Sequence, residues 1–242
     1  MPLSRLVLWL AIVLLAAQWP AEALALSGEV THLSGAVLAR RADGQTRILT
    51  VRSTVDEGDI LATADNSFAR VRFPDGTDLV MRPNSQIRID AYKYEEAAPE
   101  RDNVIFSLIK GGLRTVTGLL AKRNPNKYRL ATPTATVGIR GTLFGTQFCN
   151  DDCAGLQTPS GRPLENGLHV DVSDGAIIIS TNAGSQEFRI GEFGYVANIN
   201  VLPVHIPPEQ GFRVQAPALA LGQVVAAGAG IGRANDLECA VR

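Results

Sequence analysis

Ala69-Arg70-Val71-Arg72-Phe73, then Pro74-Asp75-Gly76, then Thr77-Asp78-Leu79-Val80-Met81 is the stretch that decides the fold. Val71, Phe73, Leu79 and Met81 alternate with mostly polar neighbours. A period of two sends one face of each arm to a core and the other to water. Asp-Gly between two such arms is a strong hairpin signal, and Pro74 argues against a plain two-residue loop.

The same grammar extends outward. Gly35-Ala36-Val37-Leu38 leads to a turn at Asp43-Gly44, and Ile48 to Val51 follows. Glu57-Gly58-Asp59-Ile60-Leu61 and Phe68 to Val71 precede the hairpin, and Ile87 to Tyr92 alternates after it. The polar stretch Glu95 to Asp102 reads as an exposed loop. Val104 to Lys110 and Leu113 to Val116 flank Gly111-Gly112, and Asn124-Pro125-Asn126 is a turn before a strand at Tyr128 to Ala131. Asp152 to Gly167 reads as a long loop, and strands resume at Leu168 to Val172 and Ala176 to Ser180. Helical periodicity is weak until Ala218 to Ala227, a short helical or irregular tail after Pro203, Pro207 and Pro208. With 23 glycines and β-branched residues throughout, the expected fold is all-β: a β-roll or sandwich of short antiparallel strands. The expected organisation is a signal at 1–25, a β domain at 26–148, a β-rich extension packed on it at 149–200 and a Pro/Gly/Ala-rich tail at 201–242.

A weak internal repeat supports a layered architecture. Gly35-Ala36-Val37-Leu38-Ala39 matches Gly175-Ala176-Ile177-Ile178-Ile179, and Gly44 matches Gly184 at the same spacing. With a gap, Gly58-Asp59-Ile60 matches Gly191-Glu192-Phe193; a looser third instance is Gly112-Leu113-Arg114.

The first 25 residues read as an export signal. Arg5 gives the positive start, Leu6 to Ala17 an unbroken apolar run, and Ala21-Glu22-Ala23 and Ala23-Leu24-Ala25 two cleavage patterns. A run of about a dozen residues is short of the ~20 that span a bilayer, so cleavage is expected rather than an anchor, and the periplasm is the expected compartment. There cysteines oxidise. Three are present; Cys149 and Cys153, around Asn150-Asp151-Asp152, are the expected disulfide, with Cys239 free or pairing between chains. Two thiolates with Asp151 or Asp152 are the alternative metal reading, set against the lack of a nearby histidine.

Other chemistry is sparse. His32, His169 and His205 lie far apart, and no nucleophile elbow, zinc motif or phosphate loop is present. A net charge of −1 with no basic block argues against nucleic acid, and 6% aromatic content gives no sugar platform. Neither an enzyme nor a cofactor is expected, and no small-molecule substrate is identified. The densest segment is Ala131-Thr132-Pro133-Thr134-Ala135-Thr136-Val137-Gly138-Ile139-Arg140-Gly141-Thr142-Leu143-Phe144. Its alternating threonines put a hydroxyl row on one strand face, and Gly138 and Gly141 bracket an arginine with a planar five-donor fork. One reading is a tight corner in which Arg140 bonds backbone carbonyls or a buried carboxylate. The other is partner recognition by Thr136, Gly138, Arg140, Gly141 and Thr142.

Gly35-x-Val37, Glu57-Gly58-Asp59-Ile60-Leu61-x-Thr63, and Ser67-x-Ala69-x-Val71-x-Phe73-x-Asp75-Gly76-Thr77 resemble the FecR domain. Gly111-Gly112-Leu113-Arg114 and Thr132 to Thr142 resemble its closing half, so the resemblance covers roughly residues 28–148. It implies a β-rich periplasmic domain, which in founding members relays a signal from an outer-membrane transporter to a sigma factor. Those transducers have a cytoplasmic segment and an uncleaved membrane helix. Here only about five residues precede the apolar run and no second run reaches spanning length, so the sigma-factor arm is not expected to apply. The function expected is a binding or signalling-accessory module that recognises another periplasmic or outer-membrane protein, for instance by strand addition at a sheet edge. The alternative is a structural envelope protein that binds glycan or peptidoglycan.

Overall fold

The computed structural model describes residues 28–215. The export signal at 1–25, the helical tail at Ala218 to Ala227 and Cys239 lie outside them. The described strands in chain order are β1 (Gly28–Ser34), β2 (Val37–Arg40), β3 (Thr46–Ile48), β4 (Thr54–Val55), β5 (Ile60–Thr63), β6 (Phe68–Arg72), β7 (Asp78–Met81) and β8 (Gln86–Lys93). Then come β9 (Asn103–Val116), the short helix α1 (Leu119–Arg123), β10 (Tyr128–Ala131), β11 (Thr136–Cys149), β12 (Gly167–Thr181), β13 (Gly184–Arg189), β14 (Phe193–Val196) and β15 (Val204–Ile206).

The deciding hairpin is β6–β7, with Val71 opposite Leu79. Its loop is the three-residue form: the Phe73 N–H donates to the Thr77 carbonyl at 2.8 Å, and Gly76 takes φ +85°. The loop is buried. Asp75 accepts hydrogen bonds from the Thr77 hydroxyl (2.8 Å) and the Tyr92 phenol (2.8 Å), and its carbonyl accepts the Leu119 N–H (2.8 Å) at the start of α1.

Three strands are much longer than the short ones expected: β9 and β11 have 14 residues each and β12 has 15. Each changes neighbours midway. The first half of β9 lies between β8 and the parallel β10; its second half lies between β7 and β11. β11 passes from β10 to β9 along one edge while following β12 along the other. The result is two layers joined by continuous strands. One runs β3–β2–β5–β8–β9–β10–β11–β12–β13, and the other β4–β1–β6–β7–β9–β11–β12–β14–β15. Residues such as Val37, Phe106, Ile139 and Ile177 from the first layer and Val71, Leu113, Phe144 and Val170 from the second share one buried core.

Each crossing is made at a glycine with positive φ: Gly35 (+78°) between β1 and β2, Gly111 (+76°) in β9, Gly141 (+57°) in β11 and Gly175 (+70°) in β12. A strand that leaves one neighbour for another frees a backbone N–H, and a buried unpaired N–H is costly. At three crossings a hydroxyl accepts it: Ala36 N–H donates to Ser67 Oγ at 3.0 Å, Gly112 N–H to Ser85 Oγ at 2.9 Å, and Thr142 N–H to Thr117 Oγ1 at 2.7 Å. Ser67 lies between β5 and β6, Ser85 between β7 and β8, and Thr117 between β9 and β10. Each hydroxyl therefore comes from the connection between the two strands that flank the bend.

The repeat is present, with its third glycine re-registered. The 189–192 turn closes with Glu192 N–H on Arg189 O (2.9 Å) and Arg189 N–H on the Glu192 carboxylate (2.7 Å). The same turn recurs at 50–53, with Ser53 N–H on Thr50 O (3.0 Å) and Thr50 N–H on Ser53 Oγ (2.9 Å). Arg52 (φ +72°) therefore takes the place of Gly191 (φ +84°), and each N–H donates to a valine carbonyl of an earlier strand, Val30 of β1 or Val172 of β12. Gly58-Asp59 forms a further turn of this type, with Asp56 N–H on the Asp59 carboxylate at 3.2 Å.

Asp78 sits in a double clamp on the outer face of β6–β7, bound by Arg70 at 2.7 Å and Arg72 at 2.8 Å with side-on second contacts. Burial pushes its pKa up, the hydrogen bonds from Arg72 and Arg70 pull it down, and the net direction is down from 3.8. Asp102, clamped by Arg123 at 2.7 Å, shows the same balance and the same net direction.

Two stability measurements follow from these contacts. In urea unfolding, Gly111→Ala should cost about 3 kcal/mol or more, because φ is positive and a Cβ would lie 2.6 Å from the Asn84 carbonyl oxygen. Gly44→Ala, with φ +87° and open space around it, should cost about 1 kcal/mol. In an acid titration, the stability from Asp78 and Asp102 is fully present above the unfolded pKa of 3.8 and is lost as pH falls from there toward the depressed folded values. Asp78→Asn should be less stable at neutral pH and lose less on acidification; an unchanged acid profile would contradict the clamp.

Candidate functional site

Thr136, Gly138 and Arg140 alternate along the first half of β11 and share its outward face. Arg140 makes no bond to a carbonyl or carboxylate: it is exposed, with no ion pair among the described residues. The corner is built by its neighbours instead. Gly141 supplies the bend. Thr142 is buried, donating its N–H to Thr117 Oγ1 (2.7 Å) and accepting the Thr117 N–H on its carbonyl (3.0 Å). Gly175 packs directly over it, where a Cβ would stand 2.3 Å from the Gly141 carbonyl oxygen.

Gly138 differs from these glycines. Its φ is not in the left-handed region, and an added Cβ would meet nothing nearer than the Ile178 carbonyl oxygen at 3.8 Å. Neither conformation nor packing requires glycine there, and glycine inside a strand costs roughly 0.5–1 kcal/mol relative to alanine. An unforced glycine in a strand leaves room for another chain to approach the sheet.

The strand register shows what surrounds it. Leu130 pairs with Val137 and Ala131 with Thr136, which sets Arg129 of β10 beside Gly138. On the other side, Gly138 pairs with Ile178 and Arg140 with Ala176. Arg129 is exposed, and Lys122 of α1 lies 3.9 Å from where a Gly141 Cβ would be. Flanking charges are neutralised in place: Arg189 binds Glu187 at 2.9 Å, and Arg88 binds Asp90. Arg129 and Arg140 have no such partner among the described residues, so the face is an open dimple at Gly138 beside two exposed arginines, bordered by Ile178 and Ala176 of β12. Arg129 is absent from the sequence-based set. Its alternation in Tyr128 to Ala131 is visible in the sequence, but its place beside Gly138 depends on the β10–β11 register.

A cleft of about 170 Å³ opens elsewhere, on the outer side of the second layer, lined by Arg162, Glu165, His169, Tyr195, Ile206 and Gln210. Two of its polar tips are committed to backbone: His169 Nε2–H donates to the Glu165 carbonyl at 2.8 Å, and the Tyr195 hydroxyl to the Asn166 carbonyl at 2.5 Å. Burial pushes the His169 pKa down from the ordinary histidine value of 6.5. His32 is on β1, and His205 stacks on Phe188 at 4.3 Å. Cys149 and Cys153 form a disulfide, and no metal-ligating cluster occurs among the described residues.

With the fold and its surfaces described, the family can be stated. The FecR protein family model matches residues 59–177, and this stretch of the chain is a FecR domain. Two crystal structures of a candidate anti-sigma factor from Parabacteroides distasonis ATCC 8503 are similar, at 14% identity with a TM-score of 0.45 and at 16% with 0.46. Each match covers 62% of this chain and 60% of that chain. A cell surface anchoring domain matches 25% of this chain and 80% of its own at 30% identity and a TM-score of 0.25. No curated protein matches the sequence.

Gly138→Thr separates access from packing. With open space at the Cβ and a β-branched residue favoured in a strand, the variant should be as stable as the parent or up to about 1 kcal/mol more stable in urea unfolding. A loss of 1 kcal/mol or more would make Gly138 a packing residue.

Proposed function

We propose that this protein is an exported, periplasmic recognition module of a FecR-type signalling system, and that it binds another envelope protein through the β10–β11–β12 face. The supporting observation is Gly138: a glycine that the fold does not need, beside Arg129 and Arg140, two exposed arginines with no acidic partner among the described residues. Arginine is favoured where a partner offers carboxylates, because its fork binds them in pairs. The surface therefore suits an acidic, extended segment laid across the sheet, with Ile178 and Ala176 beside it. The FecR domain supports a regulatory rather than catalytic role. The compartment follows from the signal-like pattern of Met1 to Ala25.

Site-specific photo-crosslinking in cells tests this reading. A photoreactive residue at Ser185, on the outward face of neighbouring β13, should yield one discrete adduct with an envelope protein. Arg129→Glu combined with Arg140→Glu should reduce that adduct about tenfold or more, since like charges across an interface cost several kcal/mol. Stability should change by less than about 0.5 kcal/mol, as both side chains are exposed. An adduct indifferent to the double reversal, or co-sedimentation with purified cell wall in its place, would refute the assignment.

A further inference from the structure

On the outer side of the second layer, away from Gly138, the chain returns after β15 and crosses β9, β11 and β12. Pro207 and Pro208 turn it, with Gln210 N–H on the Pro207 carbonyl at 2.9 Å, and Gly211 to Val214 then lie against the sheet outside any ladder. Side chains hold this segment. Asp171 accepts the Val214 N–H at 2.8 Å, and Arg114 donates to the Val214 carbonyl at 2.9 Å. Both main-chain groups of one residue are thus read by a buried ion pair, Arg114–Asp171 at 3.2 Å, which Ser173 also bonds. Gly145 clears the floor: a Cβ there would stand 2.3 Å from the Asp171 carboxylate and 2.5 Å from the Val214 Cβ.

Two apolar anchors, two residues apart, complete the contact. Val214 is fully buried and Phe212 is 9% exposed, both packed with Leu164 and the Cys149–Cys153 disulfide in a small cluster separate from the main core. The Arg82 guanidinium lies over the Phe212 ring, 5.1 Å from its centre, and is held by Gln147 at 3.3 Å. Recognition of a main-chain N–H and C=O, with pockets for alternate side chains, is how extended peptides are bound.

We propose that this surface is a peptide-binding groove, that Gly211 to Val214 fill it in cis, and that an extended segment of a partner protein with an aromatic and an aliphatic residue two positions apart competes for it. The main-chain contacts are indifferent to sequence, and the Phe212 and Val214 pockets set the pattern. The proposal is independent of the Gly138 face, which lies on the other layer.

The probe is a fluorescein-labelled peptide, Gln-Gly-Phe-Arg-Val-Gln, titrated by fluorescence anisotropy into the full chain. Val214→Asp brings a second carboxylate to Asp171 and empties the groove, so the peptide should bind this variant at least about tenfold more tightly than the parent. Adding Arg114→Ala, or replacing Phe and Val of the peptide by Ala, should abolish that gain. If Val214→Asp keeps its sheet circular dichroism yet binds no better than the parent, the groove is only a packing surface. If Val214→Asp does not fold, Phe212→Ser takes its place with the same expectation. Hydrogen exchange on the parent gives an independent arm: the Val214 amide should exchange faster than the β11–β12 ladder amides, and exchange only through global unfolding would overturn the proposal. A concentration-dependent dimer that loses the peptide site would assign the groove to a second copy and likewise overturn it.

Discussion

The architecture depends on how a strand can turn from one layer into another without leaving its amide unpaired. A ladder hydrogen bond is lost wherever a strand exchanges one neighbour for the next. In this protein a positive-φ glycine makes the turn, and a serine or threonine from the connection between the two exchanged neighbours accepts the freed N–H. The hydroxyl and the bend are far apart in sequence, 31 positions for Ser67 and Ala36, 27 for Ser85 and Gly112, and 25 for Thr117 and Thr142. Each bond therefore ties a turn in one place to a strand in another. Both layers share one core because these ties fix where the strands cross.

That constraint also explains why the densest sequence motif divides in two. Gly141 and Thr142 belong to the bend, as does Gly175, which packs against them. Thr136, Gly138 and Arg140 lie before the bend and point outward. The corner fixes the pitch and register of the open face but leaves its side chains free of structural duty. Rigid scaffolds with unconstrained surface groups are where binding residues are expected. The second surface follows the opposite logic. There Arg114, Asp171 and Gly145 are fully engaged, but with a segment outside the ladder.

Period-two alternation was enough to place most strands, including the β6–β7 hairpin, because each strand buries one face and each connection has its own turn chemistry. β9 and β12 read in the sequence as pairs of short strands, since a glycine inside a strand looks the same whether the chain ends or bends there. The repeat was legible at Gly35 and Gly175 but mis-set farther on. Arg52 adopts the positive φ that glycine holds at 191, and a search for matching glycines passes over it. In the site, Gly138 and Gly141 are the same letter; only φ and the space around each distinguish an open surface from an obligatory bend. Arg129 joins the face through a cross-strand register that no local pattern encodes.

The most direct test of this account is native-state hydrogen exchange at the three bend amides. Ala36, Gly112 and Thr142 donate to hydroxyls, not to ladder carbonyls. If those bonds hold the two layers together, all three should be protected as strongly as the flanking ladder amides. Ser85→Ala should lower protection on both sides of the Gly111 bend together. Fast exchange at these amides in the native protein, with the ladders on either side still protected, would contradict the account.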